Sequence, residues 1–165
     1  MCGRSFCMKS LIFAFDQRFF AIDARSRDLL ARLPDHLLYK RPHETRSEMV
    51  PFSCGEYILR SAAMVERTFG GITTRLWDDP FEWTLPEKLV NKDLIVAYLD
   101  EVEATRVKGF AFFTSDNDLK KEIPAPESLR PLADILLETI DLASHFQGRA
   151  FALSQVLTHE KLPQL

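Results

Sequence analysis

Four segments of the chain carry apolar residues at steps of three and four, the spacing of one face of an α-helix. They cover about 8–33, 53–76, 91–113 and 131–157. In the first two, the predicted buried faces consist of Leu11, Phe15, Phe19, Ile22, Leu29, Leu30 and Leu33, and of Ile58, Leu59, Ala62, Val65, Phe69, Ile72 and Leu76. In the last two, they consist of Leu94, Ile95, Tyr98, Leu99, Val102, Val107 and Phe110, and of Leu132, Ile135, Leu136, Ile140, Ala143, Phe146, Ala150, Leu153 and Leu157.

Residues at the segment ends support these helices. Pro34 ends the first, because proline disfavours helical geometry in the residue before it. Ser53 followed by Glu56 forms a capping box, in which both side chains satisfy free N–H groups at the start of the second helix. Asn91 is a suitable cap for the third helix, and Pro131 is suited to the first position of the fourth.

The segments between the helices contain no strand-like alternation, and 114–128 is predicted to be mostly loop. Four amphipathic helices bury their apolar faces most simply against one another. We therefore predict an all-α protein with one domain, residues 1–165, folded as an up-and-down four-helix bundle, with 1–7 as a flexible N-terminal extension. The long connections before the third and fourth helices leave a crossover open as an alternative.

Composition narrows the functional classes. The 165 residues are 46% hydrophobic and 27% charged, as in ordinary globular proteins. A net charge of −3 and the lack of a basic stretch argue against nucleic-acid binding. Three cysteines without framework spacing do not indicate a disulfide scaffold, and no apolar run is long enough for a signal peptide or a membrane span. We therefore expect a cytoplasmic protein with neither nucleic-acid nor membrane partners.

Several short motifs occur in an order similar to that of one known family. They are Ala-Arg-Leu-Pro at 31–34, Phe-Ser-Cys-Gly-Glu at 52–56, Val-Glu-Arg at 65–67 and Ser-His-Phe-Gln-Gly-Arg at 144–149. With the four-helix layout, they make nearly the whole chain from Met8 onward resemble the DinB-like superfamily. The last motif is similar to the family's His-His-Arg-Gly-Gln signature in altered order. The resemblance implies a helical bundle, a homodimer, and a relation to metal-dependent hydrolases and thiol transferases.

In active members of that family, three histidines hold one divalent metal, one on the second helix and an H-x-x-x-H pair on the fourth. The matching positions here are Ser61, Leu142 and Phe146, with Arg60 beside the first. Neither a hydroxyl nor a hydrocarbon replaces an imidazole ligand, and a nearby arginine repels a cation. The resemblance therefore implies the fold without the metal. The expected function is a small-molecule binding or interaction protein that carries no cofactor.

Asp141 and His145 indicate an alternative function, which is a metal-dependent enzyme. They lie four residues apart on one helix face, and a one-residue shift of the alignment puts them at the H-x-x-x-H positions. This alternative is a metal-dependent hydrolase or thiol transferase with a rearranged zinc or nickel site. Two ligands without a third do not make such a site, so a structural pair on the helix surface is the simpler interpretation.

A binding cleft is a further hypothesis. Arg60, Ser61, Glu66, Arg67 and Arg149 map near the end of the bundle where the family has its cleft. Arginine presents a fork of donors that suits a carboxylate or phosphate, so these residues predict an anionic small molecule. Ion pairs on the surface explain the same charges without a ligand.

Cys54 has two interpretations. At the start of the second helix, the helix dipole can lower the pKa of a thiol and make it reactive. A buried or half-buried cysteine that packs like a small apolar side chain is the simpler interpretation.

Overall fold

A computed structural model describes residues 10–42, 52–80 and 84–159, and over these ranges the chain is a mostly helical bundle. The long helices are α1 (Ser10–Arg32), α2 (Cys54–Thr74), α3 (Lys92–Phe110) and α4 (Leu132–Thr158). Two 3₁₀ helices (Asp35–Leu37 and Asp116–Lys120) and two strands, β1 (Glu122–Pro124) and β2 (Leu129–Pro131), lie in the connections. All four predicted helices are confirmed, whereas the predicted extension at 1–7 lies outside the described residues. None of the described helices combines the length and apolarity needed to cross a membrane.

The predicted caps of α2 and α3 are confirmed. The backbone N–H of Glu56 donates to the Ser53 Oγ at 3.3 Å, and the Ser53 N–H donates to the Glu56 carboxylate at 2.8 Å. Partial burial alone would raise the pKa of Glu56, but bonds from Ser53 and Arg41 outweigh it and lower that pKa. In α3, the Leu94 N–H donates to the Asn91 side chain at 2.9 Å. Each cap satisfies backbone donors that the helix itself leaves open.

The paired contacts of α1 with α3 and of α2 with α4 are antiparallel. Arg27, near the end of α1, bonds to Asp100 in the middle of α3, whereas Asp16, nearer the start of α1, bonds to Arg106 near the end of α3. On the other side, Cys54 lies against Ala150. Farther along α2, Thr68 lies against Thr139, nearer the start of α4.

In contrast, α2 and α3 run parallel. Glu66 bonds to Tyr98, and Phe69, one turn later, packs on Phe110 with ring centroids 5.0 Å apart. The helix directions are therefore up, down, down, up, and the predicted up-and-down order is wrong at this step. The connection after α2, which includes the described residues 75–80 and 84–91, is the crossover. An extended chain spans roughly 3.3 Å per residue against about 1.5 Å for a helix, so a connection of this length can return along the whole bundle.

The stretch 114–128 contains more structure than predicted. It includes the second 3₁₀ helix and β1, which pairs antiparallel with β2 so that Ile123 faces Arg130. Three-residue strands are too short to produce a visible alternation in sequence. The Asp116 carboxylate also accepts the N–H groups of Leu11 and Ile12, both at 3.1 Å. A residue distant in sequence thereby caps α1, which has no acidic residue in its own first turn.

Four predicted core positions are exposed instead. Leu11, Leu76, Leu94 and Val107 keep between 40% and 61% of their surface. Leu11 and Leu76 lie at or beyond helix ends. In α3, which packs mainly against α1 and α2, the apolar arc is wider than the arc those neighbours cover.

Candidate functional site

Ser61 is a structural residue of the α2–α4 contact. It is 1% exposed, and its hydroxyl donates to the carbonyl of Ala143 at 2.8 Å. The family's first histidine position is therefore filled by a side chain whose only proton is already used between two helices.

Glu66 faces α3 and not a shared cleft with Ser61. It accepts the Tyr98 hydroxyl proton at 2.5 Å. Burial and this bond to a carboxylate raise the pKa of Tyr98, so the phenol stays protonated. The pair joins the two parallel helices.

Arg60 and Arg149 lie near the start of α2, each beside an aromatic ring. The Arg60 guanidinium lies 3.8 Å from the centroid of the Phe52 ring, and that of Arg149 lies 5.9 Å from the Tyr57 centroid. The structure thus distributes four of the five predicted cleft residues over different contacts, because successive helix positions are turned by about 100°.

Asp141 and His145 are both exposed on α4. The His145 ring lies 5.9 Å from that of Phe146, and no hydrogen bond joins it to Asp141 among the described contacts. Within 10–42, 52–80 and 84–159, no three His, Cys, Asp or Glu side chains converge as a metal site would require. The structure thus offers these two residues no third ligand in the part of the chain that it describes.

A cleft of about 220 Å³ lies instead between α2, α4 and the β1–β2 hairpin. At about 30 Å³ for each molecule in liquid water, it has room for roughly seven waters. Its apolar wall comprises Met64, Trp77, Ala125, Pro126, Ile135 and Leu142. Its polar wall comprises Arg67, Thr68, Glu127, Arg130, Glu138 and Thr139. Apolar walls with a few placed polar groups are typical of small-molecule sites.

Trp77 forms one side of this cleft and ties it to the hairpin. Its indole N–H donates to the carbonyl of Pro124 at 3.0 Å. The ring packs so closely on α2 that a Cβ at Gly71 would lie 2.4 Å from it. Arg75, in the left-handed conformation with φ of 63°, ends α2 and turns the chain towards this position.

Arg67 is the arginine of the cleft for which the described residues supply no ion pair. Its Nε is buried and has no hydrogen-bond partner among the described residues. The other arginine of the cleft, Arg130, is already paired with Glu138. A buried donor without a partner costs about 1–3 kcal/mol, and more when charged. Arg67 also lines the cleft, where its charge favours an anion from outside the chain.

The hydroxyls of Thr68 and Thr139 form the polar floor of the cleft. Thr139 donates to the carbonyl of Ile135 at 2.7 Å, so its proton is used within α4. The two hydroxyls are 2.7 Å apart, and Thr68 must therefore donate to Thr139. The Thr68 oxygen keeps a lone pair and can only accept a further hydrogen bond.

The opposite side of the bundle carries buried charges that are paired. Arg106 is 5% exposed and bonds to Asp16, with Glu103 3.8 Å away. Arg27 bonds to Asp23 and Asp100, both at 2.7 Å. The Nε of Arg106 and one terminal nitrogen of Arg27 also have no hydrogen bond among the described residues, although the Arg27 nitrogen lies 3.5 Å from the Glu103 carboxylate. The adjoining cavity is only about 20 Å³, the size of one water.

Cys54 is a buried residue whose thiol lies 3.6 Å from the carbonyl of Ala150. Burial raises the pKa of this thiol to about 12, which outweighs the effect of the helix start. The structural interpretation is therefore confirmed, and a reactive thiolate is not supported.

A comparison with protein-family models finds no match, and a comparison with curated proteins finds none either. The DinB-like resemblance therefore stays a prediction. Sequence reasoning named Arg67 as one of several arginines. It missed Trp77, Thr68 and Thr139, because these lie in apolar stripes or loops and meet only after folding.

Proposed function

We propose that this protein is a DinB-like bundle without the family's three-histidine metal site, and that it acts as a small-molecule binding protein. The ligand lies in the cleft between α2, α4 and the hairpin and presents an anionic group to Arg67. The family positions Ser61, Leu142 and Phe146 supply no imidazole ligand.

The observation that carries the proposal is the state of Arg67. Its buried Nε has no partner among the described residues, while Arg130 in the same cleft is neutralised by Glu138. An unpaired guanidinium on a partly apolar wall attracts an anion more strongly than one in open water, because the local dielectric is lower.

A thermal-shift screen of small organic anions against the untagged protein tests this function. Bound ligand raises the melting temperature by mass action on the folded state. The Arg67→Gln variant should lose the shift. Arg18→Gln, an exposed arginine of α1, should keep it. A screen with no hit, or hits retained by Arg67→Gln, would contradict the proposal.

The metal-free character has its own measurement. Purified untagged protein should contain far less than one zinc, nickel or iron per chain, and chelator should leave its melting temperature unchanged. Stoichiometric metal that is lost in His145→Ala would instead favour the rearranged site at Asp141 and His145.

The proposal includes a homodimer, as the resemblance implies. Phe13 and Phe20 on α1 remain 64% and 49% exposed, and aromatic surface of this kind favours contact with another chain. Analytical ultracentrifugation at micromolar concentration measures this directly, and a monomer would contradict the homodimer.

A further inference from the structure

We infer that the ligand of the cleft is a small monocarboxylic acid with an apolar body and a hydrogen-bond donor next to the carboxylate, such as a 2-hydroxy acid. This inference rests on the proposed binding function and names its ligand class. It follows from the juxtaposition of Arg67, Thr68 and Trp77 around one cleft.

We infer the charge of the ligand from the charged side chains that line the cleft. Arg67 is the arginine left unpaired, whereas Glu127 and Glu138 both line the same space. A carboxylate carries one negative charge and matches one guanidinium. A phosphate carries about −1.5 to −2 at pH 7, more than one guanidinium compensates, and Glu127 in the same cleft would repel it.

We infer the hydrogen-bond donor of the ligand from the two threonine hydroxyls that form the floor of the cleft. The Thr139 hydroxyl donates to the carbonyl of Ile135, and the Thr68 hydroxyl donates to the Thr139 oxygen. The Thr68 oxygen therefore offers only a lone pair, next in sequence to the Arg67 donor. A hydroxyl beside the ligand's carboxylate supplies the missing proton, while a plain acid leaves this acceptor without a partner.

We infer the apolar part of the ligand from the apolar wall of the cleft. Trp77, Met64 and Leu142 line the cleft with aromatic, thioether and alkyl surface. Such side chains pack well on a phenyl ring, because a thioether and an indole both have favourable contacts with aromatic groups. The volume of about 220 Å³ suits a molecule of this size.

Three probes with one skeleton test the inference by calorimetric titration: 3-phenyllactate, 3-phenylpropanoate without the hydroxyl, and 3-phenyllactamide without the charge. We expect 3-phenyllactate to bind best. The amide should bind at least about tenfold more weakly, and 3-phenylpropanoate about threefold, since hydrogen bonds to charged groups contribute more than neutral ones.

Variants assign each difference to its residue. Arg67→Met should remove the preference for acid over amide and keep the preference for the hydroxyl. Thr68→Val should remove the preference for the hydroxyl and keep the preference for acid, and Thr68→Ser should restore it. Trp77 fluorescence in a Trp83→Phe background reports whether a probe enters the cleft.

Each outcome decides one of the two claims. If the amide binds as well as the acid, or Thr68→Val leaves the hydroxyl preference unchanged, the ligand class is wrong. If none of the three probes binds but another anion from the screen perturbs Trp77, the ligand class fails and the binding function stands. If no small molecule perturbs Trp77, both are wrong.

Discussion

The α1–α3 side and the α2–α4 side of the bundle differ in how their partly or fully buried arginines are paired. On the first side, Arg106 and Arg27 have carboxylates within bonding distance. On the second side, Arg67 has none among the described residues, and neutral hydroxyls form the buried contacts. A paired guanidinium is part of the folded structure, whereas an unpaired one beside a cleft is available to a ligand.

The largest expected effect is on the paired side. Arg106→Met should lower the free energy of unfolding by about 3 kcal/mol, because removing the buried partner leaves the Asp16 carboxylate uncompensated, whereas Glu103 keeps Arg27 at 3.5 Å. Urea denaturation measures the loss. A change under about 0.5 kcal/mol, the range of ordinary surface substitutions, would mean that the network does not stabilise the fold.

Two glycine substitutions distinguish the Trp77 side of the cleft from an open position on α4. Gly71→Ala should cost about 1–3 kcal/mol, because its Cβ would lie 2.4 Å from the Trp77 ring and the ring must move. Gly148→Ala on α4 meets nothing within 4 Å and should stabilise by about 0.4–1 kcal/mol. Only Gly71→Ala should also weaken ligand binding. Equal effects of the two changes would contradict the position of Trp77.

Acid should destabilise the fold through Asp118, which precedes the hairpin. Bonds from Lys121 and from the backbone of Thr114 and Ser115 lower the pKa of Asp118 below its usual range. A depressed carboxyl pKa stabilises the fold above about pH 4, the usual value, and this contribution is lost as pH falls towards the folded-state pKa. The melting temperature should therefore fall below pH 4, and less steeply in Asp118→Asn. An identical slope in that variant would exclude Asp118 as the cause.

On the α1–α3 side, the pKa of Asp23 is shifted in the opposite direction to that of Asp118. Burial raises its pKa and outweighs the bond from Arg27, so its ionisation costs stability as pH rises. The Asp23→Asn variant should accordingly make the acid-induced loss of stability steeper just above about pH 4, where Asp23 partly offsets that loss, and leave the slope at lower pH unchanged.

The smallest expected effect on stability is at Arg67 itself. Arg67→Met should leave the free energy of unfolding unchanged or raise it by up to about 1 kcal/mol, because it removes a buried donor that has no described partner. The contrast with Arg106→Met is the direct test of the comparison between the two sides. A loss comparable to that of Arg106→Met would show that Arg67 is paired within the protein.

Periodicity predicted the four helices well because each buries one face against its neighbours. The caps at Ser53 and Asn91 were predictable for the same local reason, since their partners lie three residues away. The cap of α1 was not, because its acceptor is Asp116 in another element. The strands were missed because three residues show no period.

The candidate site was less predictable. The prediction grouped Arg60, Ser61, Glu66 and Arg149 by their position near one end of the bundle, and each turned out to serve a separate contact. A residue's face on a helix can be inferred from spacing, but its partner depends on which helix lies opposite. Thr68 and Thr139 meet only because α2 and α4 are antiparallel neighbours.

The amino-acid sequence by itself determined the class of the protein: a helical bundle whose helices begin and end at local capping signals. Those signals act within one turn, so no knowledge of the fold was needed. Tertiary structure alone decided the parallel course of α2 and α3, the pairing of Arg106 and the isolation of Arg67. Such features depend on which surfaces face each other, and the chain records that only after it has folded.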